Sequence, residues 1–198
     1  MISAIILAAG QSTRMGLPKM LLPWGRVTII EHVVSVFANA GIKDILVITG
    51  GAREQVEEII QKRSLYAPVR AVYNNDYQTE SMLSSIQCGL KQLSEKNIGA
   101  ALLGLGDQPQ AQVSSVRLVA ETFLKTQSPL VVPSFEMRRG HPWLVARPLW
   151  SELLEMNASE TSRDFLNRHA HDIHYVPVDT PSILADMDTP EDYRLSRP

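Results

Sequence analysis

Residues 2–19, ISAIILAAGQSTRMGLPK, place a short apolar run directly before a loop rich in glycine and hydroxyl side chains. The run predicts a buried strand. The loop holds Gly10 and Gly16 together with the cations Arg14 and Lys19, and it contains no acidic residue. Bare backbone N–H groups and fixed cations stabilise clustered negative charge. The stretch therefore predicts a phosphate site at the carboxyl end of the first strand.

The rest of the chain repeats this alternation of a short apolar run with an amphipathic stretch. The pattern favours an α/β fold in a single domain, residues 1–198, with a mostly parallel, Rossmann-like sheet between two layers of helices. In the first helix, Thr28 and Glu31 have the spacing of a capping box, and Gly41 marks the end. Strands are predicted at residues 3–8, 44–49, 69–73, 99–105 and 129–133, and further helices at roughly 53–63, 81–94 and 112–126.

The last third of the chain is less regular. Residues 138–150 predict a loop that leads into a short strand, and residues 174–178 predict another strand. Thr189 is a candidate N-cap, and Pro190 suits the first position of a helix. We therefore expect the preceding acidic segment, residues 186–188, to lie just before a final helix.

Composition excludes several classes of protein. With 44% hydrophobic and 20% charged residues among 198, the chain has the values of an ordinary globular domain. A net charge of −2 gives no general attraction to nucleic acid or to an anionic membrane, so neither is expected as a partner. Cys88 is the only cysteine, which excludes an internal disulfide and a cysteine-rich zinc site. Without a charged leader or a long apolar run, the protein is predicted to be cytoplasmic.

Two familiar phosphate loops do not fit residues 10–19. Five residues separate Gly10 from Gly16, and Leu17 and Pro18 follow, which excludes a Walker loop; the dinucleotide fingerprint G-x-G-x-x-G is also absent. The alternative is an ordinary turn between a strand and a helix. Ligands of open α/β sheets bind outside the carboxyl ends of the strands. The loop and the segment GDQP (106–109), which follows another predicted strand, are therefore expected at the same edge.

Four segments together resemble one enzyme family. LAAGQSTRMGLPK resembles the signature L-A-A/G-G-x-S-x-R-M-G-x-x-K of nucleotidyltransferases with a glycosyltransferase-A-like fold, and GDQP resembles their metal-binding segment. With RGHP (139–142) and DMDTPEDY (186–193), the set is most similar to the molybdenum cofactor cytidylyltransferase branch, which includes accessory proteins of xanthine dehydrogenase maturation. The motifs occur in order along nearly the whole chain.

The resemblance implies a site for a nucleoside triphosphate, CTP in this branch. Arg14 and Lys19 would bind the triphosphate and act in catalysis, because fixed cations stabilise the charge that builds on the leaving pyrophosphate. Residues 73–90 resemble the segment that closes over the base, although Glu80 stands where members often have glycine. The implied nucleotide-binding residues are Leu7, Ala8, Ala9, Gly10, Ser12, Arg14, Lys19, Ser81, Ser84 and Gly106.

The resemblance also implies a metal ion, Mg²⁺, with Asp107 as its main protein ligand and as a catalytic residue. A carboxylate suits Mg²⁺, which takes oxygen ligands and substrate phosphates. The alternative for Asp107 is an Asx-turn aspartate. Asp186 and Asp188 both lie near the expected position of a second ligand. We favour Asp186, because Asp188 is closer to the capping position of the final helix.

By the same resemblance, Arg139, Gly140 and His141 face the acceptor, a phosphorylated pterin that carries a metal dithiolene. The alternative for His141 is a structural histidine. Such an enzyme would make transient contact with a molybdoenzyme or its chaperone.

The reaction implied is direct transfer of CMP from CTP to the acceptor phosphate, with release of pyrophosphate. Two alternatives stay open: the same fold acting on a sugar or polyol phosphate, and a non-catalytic chaperone of the nucleotide-loaded molybdenum cofactor. The guanylyl branch resembles L-A-G-G where this chain has Ala9. Because the extra methyl leaves less room for a purine, we expect CTP rather than GTP as the donor.

Overall fold

The computed structural model describes residues 1–12, 15–63, 68–79 and 81–198. Short strands alternate with helices along most of the chain, as the apolar pattern predicts. The strands are β1 (Ile2–Ala8), β2 (Pro23–Trp24), β3 (Val27–Thr28), β4 (Ile45–Thr49), β5 (Val69–Tyr73), β6 (Ala100–Leu105), β7 (Leu130–Phe135), β8 (Arg138–Arg139), β9 (Trp143–Ala146) and β10 (Ile173–Pro177). The helices are α1 (Ile29–Asn39), α2 (Arg53–Arg63), α3 (Met82–Ser94), α4 (Val113–Thr126), α5 (Trp150–Glu155), α6 (Ser162–Arg168) and α7 (Pro190–Ser196).

Eight of these strands form one sheet. Its order is β10-β7-β9-β6-β1-β4-β5, and β8 pairs with β7. The pairings are parallel except that β9 is antiparallel to β6 and β7, and β8 is antiparallel to β7. The strands β2 and β3 form a separate antiparallel pair. The prediction of an α/β fold with a mostly parallel sheet is confirmed.

The position of β1 in the sheet explains why its sequence is apolar apart from Ser3, whose hydroxyl donates to Asp44. Ala4 and Ile6 contribute to the core on the face covered by α1, α2 and α4, whereas Ile5 and Leu7 contribute to the core under α3, α5 and α6. Because both faces of the strand are covered, hardly any position in it tolerates a polar side chain.

The register of the sheet brings the predicted loops to one edge. Leu7 of β1 lies opposite Leu105 of β6 and Ile48 of β4 in parallel pairings. The backbone N–H of Gly106 donates to the carbonyl oxygen of Leu7 at 2.8 Å. The loops after β1 and β6 therefore leave the sheet side by side, as the sequence predicts.

The last helix begins as predicted. Thr189 is the N-cap of α7, and Asp192 completes a capping box with it; Pro190 follows the cap. The short strand predicted within residues 138–150 is β9, and the loop before it contains the additional strand β8, because Arg138 and Arg139 pair with the end of β7. Within the described ranges, no helix combines the length and apolar character needed to cross a membrane.

Candidate active site

Lys19 is buried between two carboxylates. It begins a short 3-10 turn, Lys19–Leu21, and its Nζ lies 2.6 Å from Oδ1 of Asp188 and 3.3 Å from Oδ2 of Asp107. Burial by itself would lower the pKa of Lys19, but the hydrogen bond to Asp188 and the charge of Asp107 outweigh it and raise the pKa above the ordinary value. The ammonium group is therefore fully charged at neutral pH.

Ser12 accepts two hydrogen bonds in the loop that leads to Lys19. Its Oγ accepts a hydrogen bond from the backbone N–H of Lys19 at 3.1 Å, and its carbonyl accepts from Met15 N–H at 3.0 Å. Ser12 has a φ of 54°, and Gly16 has a φ of 67°, so the loop turns through the left-handed region twice. Arg14, predicted to bind the triphosphate, lies outside the described residues.

Asp107 stands at the carboxyl end of β6, and its side chain is 30% exposed. Burial raises the pKa of Asp107, against the opposing charge of Lys19. The next residue, Gln108, is buried, and its Nε2 donates to the carbonyl oxygens of Ser182 at 3.1 Å and Ala185 at 2.9 Å. Gln108 thus fastens the Asp107 loop to the segment that leads into α7.

Asp188 lies next to the cap of α7, the reason given for favouring Asp186, but its side chain is not part of that cap. The cap of α7 is made by Thr189 and Asp192, so the side chain of Asp188 is not needed there and instead accepts from Lys19. Asp188 contributes only its backbone N–H, which donates to Asp192 at 3.1 Å. Asp186 is exposed, and its negative charge raises the pKa of Asp107. Asp107 and Asp188 are therefore the two carboxylates that contact the ammonium group of Lys19.

The donor set is compatible with a hard divalent cation. Asp107 and Asp188 approach the same cationic group, so their oxygens point into one small region. Among the described residues, no group of three or more His, Cys, Asp or Glu side chains is arranged to hold a metal ion. Two carboxylates with further oxygens from substrate phosphates is the usual set for Mg²⁺, which is rarely held by a cage of protein ligands alone.

A cavity of about 270 Å³ lies next to Asp107, and we name it the β1 cavity. Of the predicted nucleotide-binding residues, Leu7, Ala9, Gly10 and Ser81 line it. Several further lining residues were not singled out from the sequence, although most of them lie within the first motif or within residues 73–90. They are Gln11, Met20, Tyr77, Met82, Ser85 and Leu105.

Three other predicted nucleotide-binding residues lie away from this cavity. The side chain of Ala8 belongs to the core on the opposite face of the sheet. Gly106 packs beneath the loop, where an added Cβ would lie 3.0 Å from Ala8 and Leu7. The Ser84 hydroxyl donates to the carbonyl of Ser81 at 2.9 Å, and its neighbour Ser85 faces the cavity instead. Glu80 is outside the described residues.

A larger cavity of about 890 Å³ lies beside β8 and α6, and we name it the β8 cavity. The predicted acceptor residues Arg139, Gly140 and His141 all line it. Gly140 must be glycine, because a Cβ would lie 2.4 Å from the carbonyl oxygen of Ile183. Burial lowers the pKa of His141 to about 4, so its imidazole is neutral at pH 7.

A third cavity of about 430 Å³, the connecting cavity, joins the other two. It shares Leu105 and Asp107 with the β1 cavity, and Arg139 and His141 with the β8 cavity. Met82 lines all three. Asp186 and Asp188 line the connecting cavity as well, so the carboxylates lie between the two larger spaces.

Comparison with known proteins agrees with this arrangement. The profile of the MobA-like NTP transferase domain matches residues 4–173. The chain is 26% identical to the molybdenum cofactor cytidylyltransferase of Escherichia coli (strain K12), over 97% of this chain and 93% of that protein. It is also 28% identical to the nicotine blue oxidoreductase of Paenarthrobacter nicotinovorans, over 98% of this chain and 96% of that protein.

Solved structures share the fold over nearly the full length. The crystal structure of Rv0371c from Mycobacterium tuberculosis H37Rv superposes with a TM-score of 0.82 at 27% identity, covering 98% of this chain and 96% of that one. A complex of Rv0371c with manganese superposes with a TM-score of 0.76 at 25% identity, with the same coverage.

Proposed function

The chain belongs to the MobA-like NTP transferase family, and from this premise we propose that it transfers CMP from CTP to the phosphate of a molybdenum–pterin cofactor, releasing pyrophosphate. The observation that carries the proposal is the position of Asp107 between two cavities, with the ammonium of Lys19 and the carboxylate of Asp188 beside it. A transferase must hold donor and acceptor on either side of the group that moves, and this arrangement provides both spaces.

In the proposed reaction, an oxygen of the acceptor phosphate attacks the α-phosphorus of CTP. One P–O bond forms, the bond from the α-phosphorus to the bridging oxygen of pyrophosphate breaks, and pyrophosphate leaves with the electron pair. The acceptor phosphate is already ionised at neutral pH, so no general base is required. Positioning and charge stabilisation supply the catalysis.

Each residue then has a distinct part in the proposal. Leu7, Ala9 and Gly10 shape the donor site at the end of β1, and Lys19 stabilises charge on the departing phosphates. Asp107 and Asp188 would hold a divalent cation, which when bound would supply Lewis-acid stabilisation of the phosphate oxygens. The manganese complex of Rv0371c supports a divalent cation in this family, and Mg²⁺ is the ion that we propose.

A direct test is necessary, because the nicotine blue oxidoreductase (28% identical) is about as similar to this chain as the molybdenum cofactor cytidylyltransferase (26% identical). We propose a screen of pyrophosphate release with each of four nucleoside triphosphates and a panel of phosphorylated acceptors, including pterin, sugar and polyol phosphates. Oxidation of NADH or NADPH is followed in parallel with the same protein. Pyrophosphate release with CTP and a pterin phosphate is the expected result.

Three other outcomes would contradict parts of the proposal. Turnover with a sugar or polyol phosphate alone would replace the acceptor. Binding of the cytidylylated cofactor without pyrophosphate release would indicate the chaperone, and oxidation of a nicotinamide nucleotide without pyrophosphate release would indicate an oxidoreductase.

A further inference from the structure

The β8 cavity has its charges at one end. Arg138, Arg139 and Arg163 line both this cavity and the connecting cavity, so the three guanidinium groups surround the border between them. Among the described residues, those that line the β8 cavity but not the connecting cavity are all uncharged, and they include Trp143 and Leu166. The border therefore suits an anion, and the deeper part suits a neutral group.

Arg139 is already engaged in the cavity wall. Its Nε donates to the hydroxyl of Tyr175 at 2.9 Å, and its Nη1 donates to Oδ1 of Asn167 at 2.8 Å. Its guanidinium also lies 5.6 Å from the centre of the Tyr175 ring. These contacts fix Arg139 as a link between β8, α6 and β10.

Arg138 and Arg163 differ from Arg139 in their hydrogen bonding. Both are exposed, and within the described part of the chain neither guanidinium has an ion pair or a hydrogen bond. They come from different elements, Arg138 from β8 and Arg163 from α6, and both line the connecting cavity that holds Asp107. The charge of Arg163 acts on the neighbouring Asp164 without forming an ion pair with it. Two arginines with guanidinium groups not held by hydrogen bonds, on one cavity, suit a bidentate contact to a phosphate.

We infer that Arg138 and Arg163 clamp the phosphate of the acceptor at this border, while an uncharged ring system of the acceptor occupies the deeper β8 cavity. This inference rests on the proposed function, since it takes the β8 cavity as the acceptor site. The clamp turns the phosphate towards Asp107, and Trp143 and Leu166 border the ring. The acceptor class is a monophosphate ester of a neutral ring system; a small polyol phosphate would leave most of the 890 Å³ unfilled.

Phenyl phosphate, a monophosphate ester of a neutral ring, is a suitable probe. It is titrated into the full-length chain without nucleotide or metal, and the arginine Nε–Hε signals are followed by NMR. We expect shifts of the Arg138 and Arg163 signals, and a dissociation constant weakened about tenfold or more in Arg138→Ala and Arg163→Ala, since a hydrogen bond to a charged group is lost. Arg163→Lys keeps the positive charge but loses the planar guanidinium group, so its dissociation constant should lie between those of the wild type and Arg163→Ala.

The control is Arg117→Ala, which removes an exposed arginine of α4 that lines none of the three cavities. It should leave the affinity unchanged, and thermal unfolding verifies that each variant is folded. Equal affinity of both variants and wild type would overturn the clamp, and inorganic phosphate binding as tightly as phenyl phosphate would overturn the ring site. Because these titrations need no triphosphate, a failure of pyrophosphate release is a separate result.

Discussion

The ammonium group of Lys19 donates a 2.6 Å hydrogen bond to the carboxylate of Asp188, which lies 169 positions later in the chain. The contact joins the loop after β1 to the segment before α7. It brings Asp188 to the same ammonium group that Asp107 contacts.

We therefore predict different effects of two matched substitutions. Asp188→Asn should lower kcat for pyrophosphate release by about 100-fold, comparable to the loss of a group that stabilises transition-state charge, whereas Asp186→Asn should cost less than tenfold. Asp107→Asn should lose at least as much as Asp188→Asn. Steady-state kinetics at saturating CTP and Mg²⁺ measure this, and a larger loss in Asp186→Asn would restore the original choice of ligand.

The sequence predicted those features whose chemistry is local. The capping box of α1 depends on Thr28 and Glu31, three positions apart, and the N-cap of α7, Thr189, stands directly before Pro190. The apolar run of β1 identifies a strand covered on both faces, because no partner element has to be known to recognise it.

The features that the sequence did not predict depend on how distant elements meet. Successive residues on a helix are rotated by about 100°, so a serine-rich helix start does not reveal that Ser85, rather than Ser84, faces the cavity. The choice between Asp186 and Asp188 depends on Lys19, and Arg163 reaches the site on a helix without any recognised motif.

Lys19→Ala should lower kcat by more than it raises the KM for nucleotide. Charge on the leaving pyrophosphate grows towards the transition state, so a fixed cation contributes more there than in the ground state. The variant also removes the ammonium group that Asp107 and Asp188 contact, so its unfolding temperature is measured alongside the kinetics. An effect confined to KM would mean that Lys19 serves only ground-state binding.

Gln108 provides a prediction about positioning. Gln108→Ala removes the side-chain donor to the carbonyls of Ser182 and Ala185, of which that of Ser182 keeps the backbone N–H of Ala185 at 3.3 Å. This loss should lower the free energy of unfolding by about 1–3 kcal/mol and reduce kcat through the displaced Asp188 segment. The control is Gln112→Ala, because Gln112 contacts Thr180 at 3.2 Å on the exposed surface. Similar losses in the two variants would argue against a positioning role.

A second charged cluster predicts pH-dependent stability away from the site. Partial burial would lower the pKa of His169, but hydrogen bonds to Asp172 at 3.0 Å and Glu152 at 2.7 Å outweigh it and raise the pKa; Arg168 also contacts Glu152. A raised pKa stabilises the fold below the unfolded value of about 6.5, and this contribution is lost as the pH rises through the folded pKa.

Chemical denaturation from about pH 5 to pH 9 measures the contribution of His169. The stability difference between wild type and His169→Gln should be largest at the acidic end and should shrink as the pH rises. His174→Gln is the control, since the side chain of His174 is exposed and makes no hydrogen bond to the described residues. A difference that grows with pH would contradict the assignment.

The last prediction concerns the choice of donor. Ala9 lines the β1 cavity, and its backbone is held against the end of β4, where a Cβ on Gly50 would lie 2.3 Å from the Ala9 carbonyl oxygen. Because the backbone cannot retreat, the methyl group of Ala9 takes space that a purine would need. An added methyl in a tight site costs roughly 1–3 kcal/mol, so we expect CTP to be favoured over GTP by about tenfold.

A competition between equal CTP and GTP measures this preference, and Ala9→Gly should reduce it, since the variant removes the methyl and little else. Ala8→Gly is the matched control, because the Ala8 methyl belongs to the core on the other face of the sheet and should leave the preference unchanged. A preference of the wild-type protein for GTP would overturn the cytidylyl assignment while leaving nucleotidyl transfer intact. An equal change in both variants would trace the effect to the backbone of the loop rather than to the methyl of Ala9.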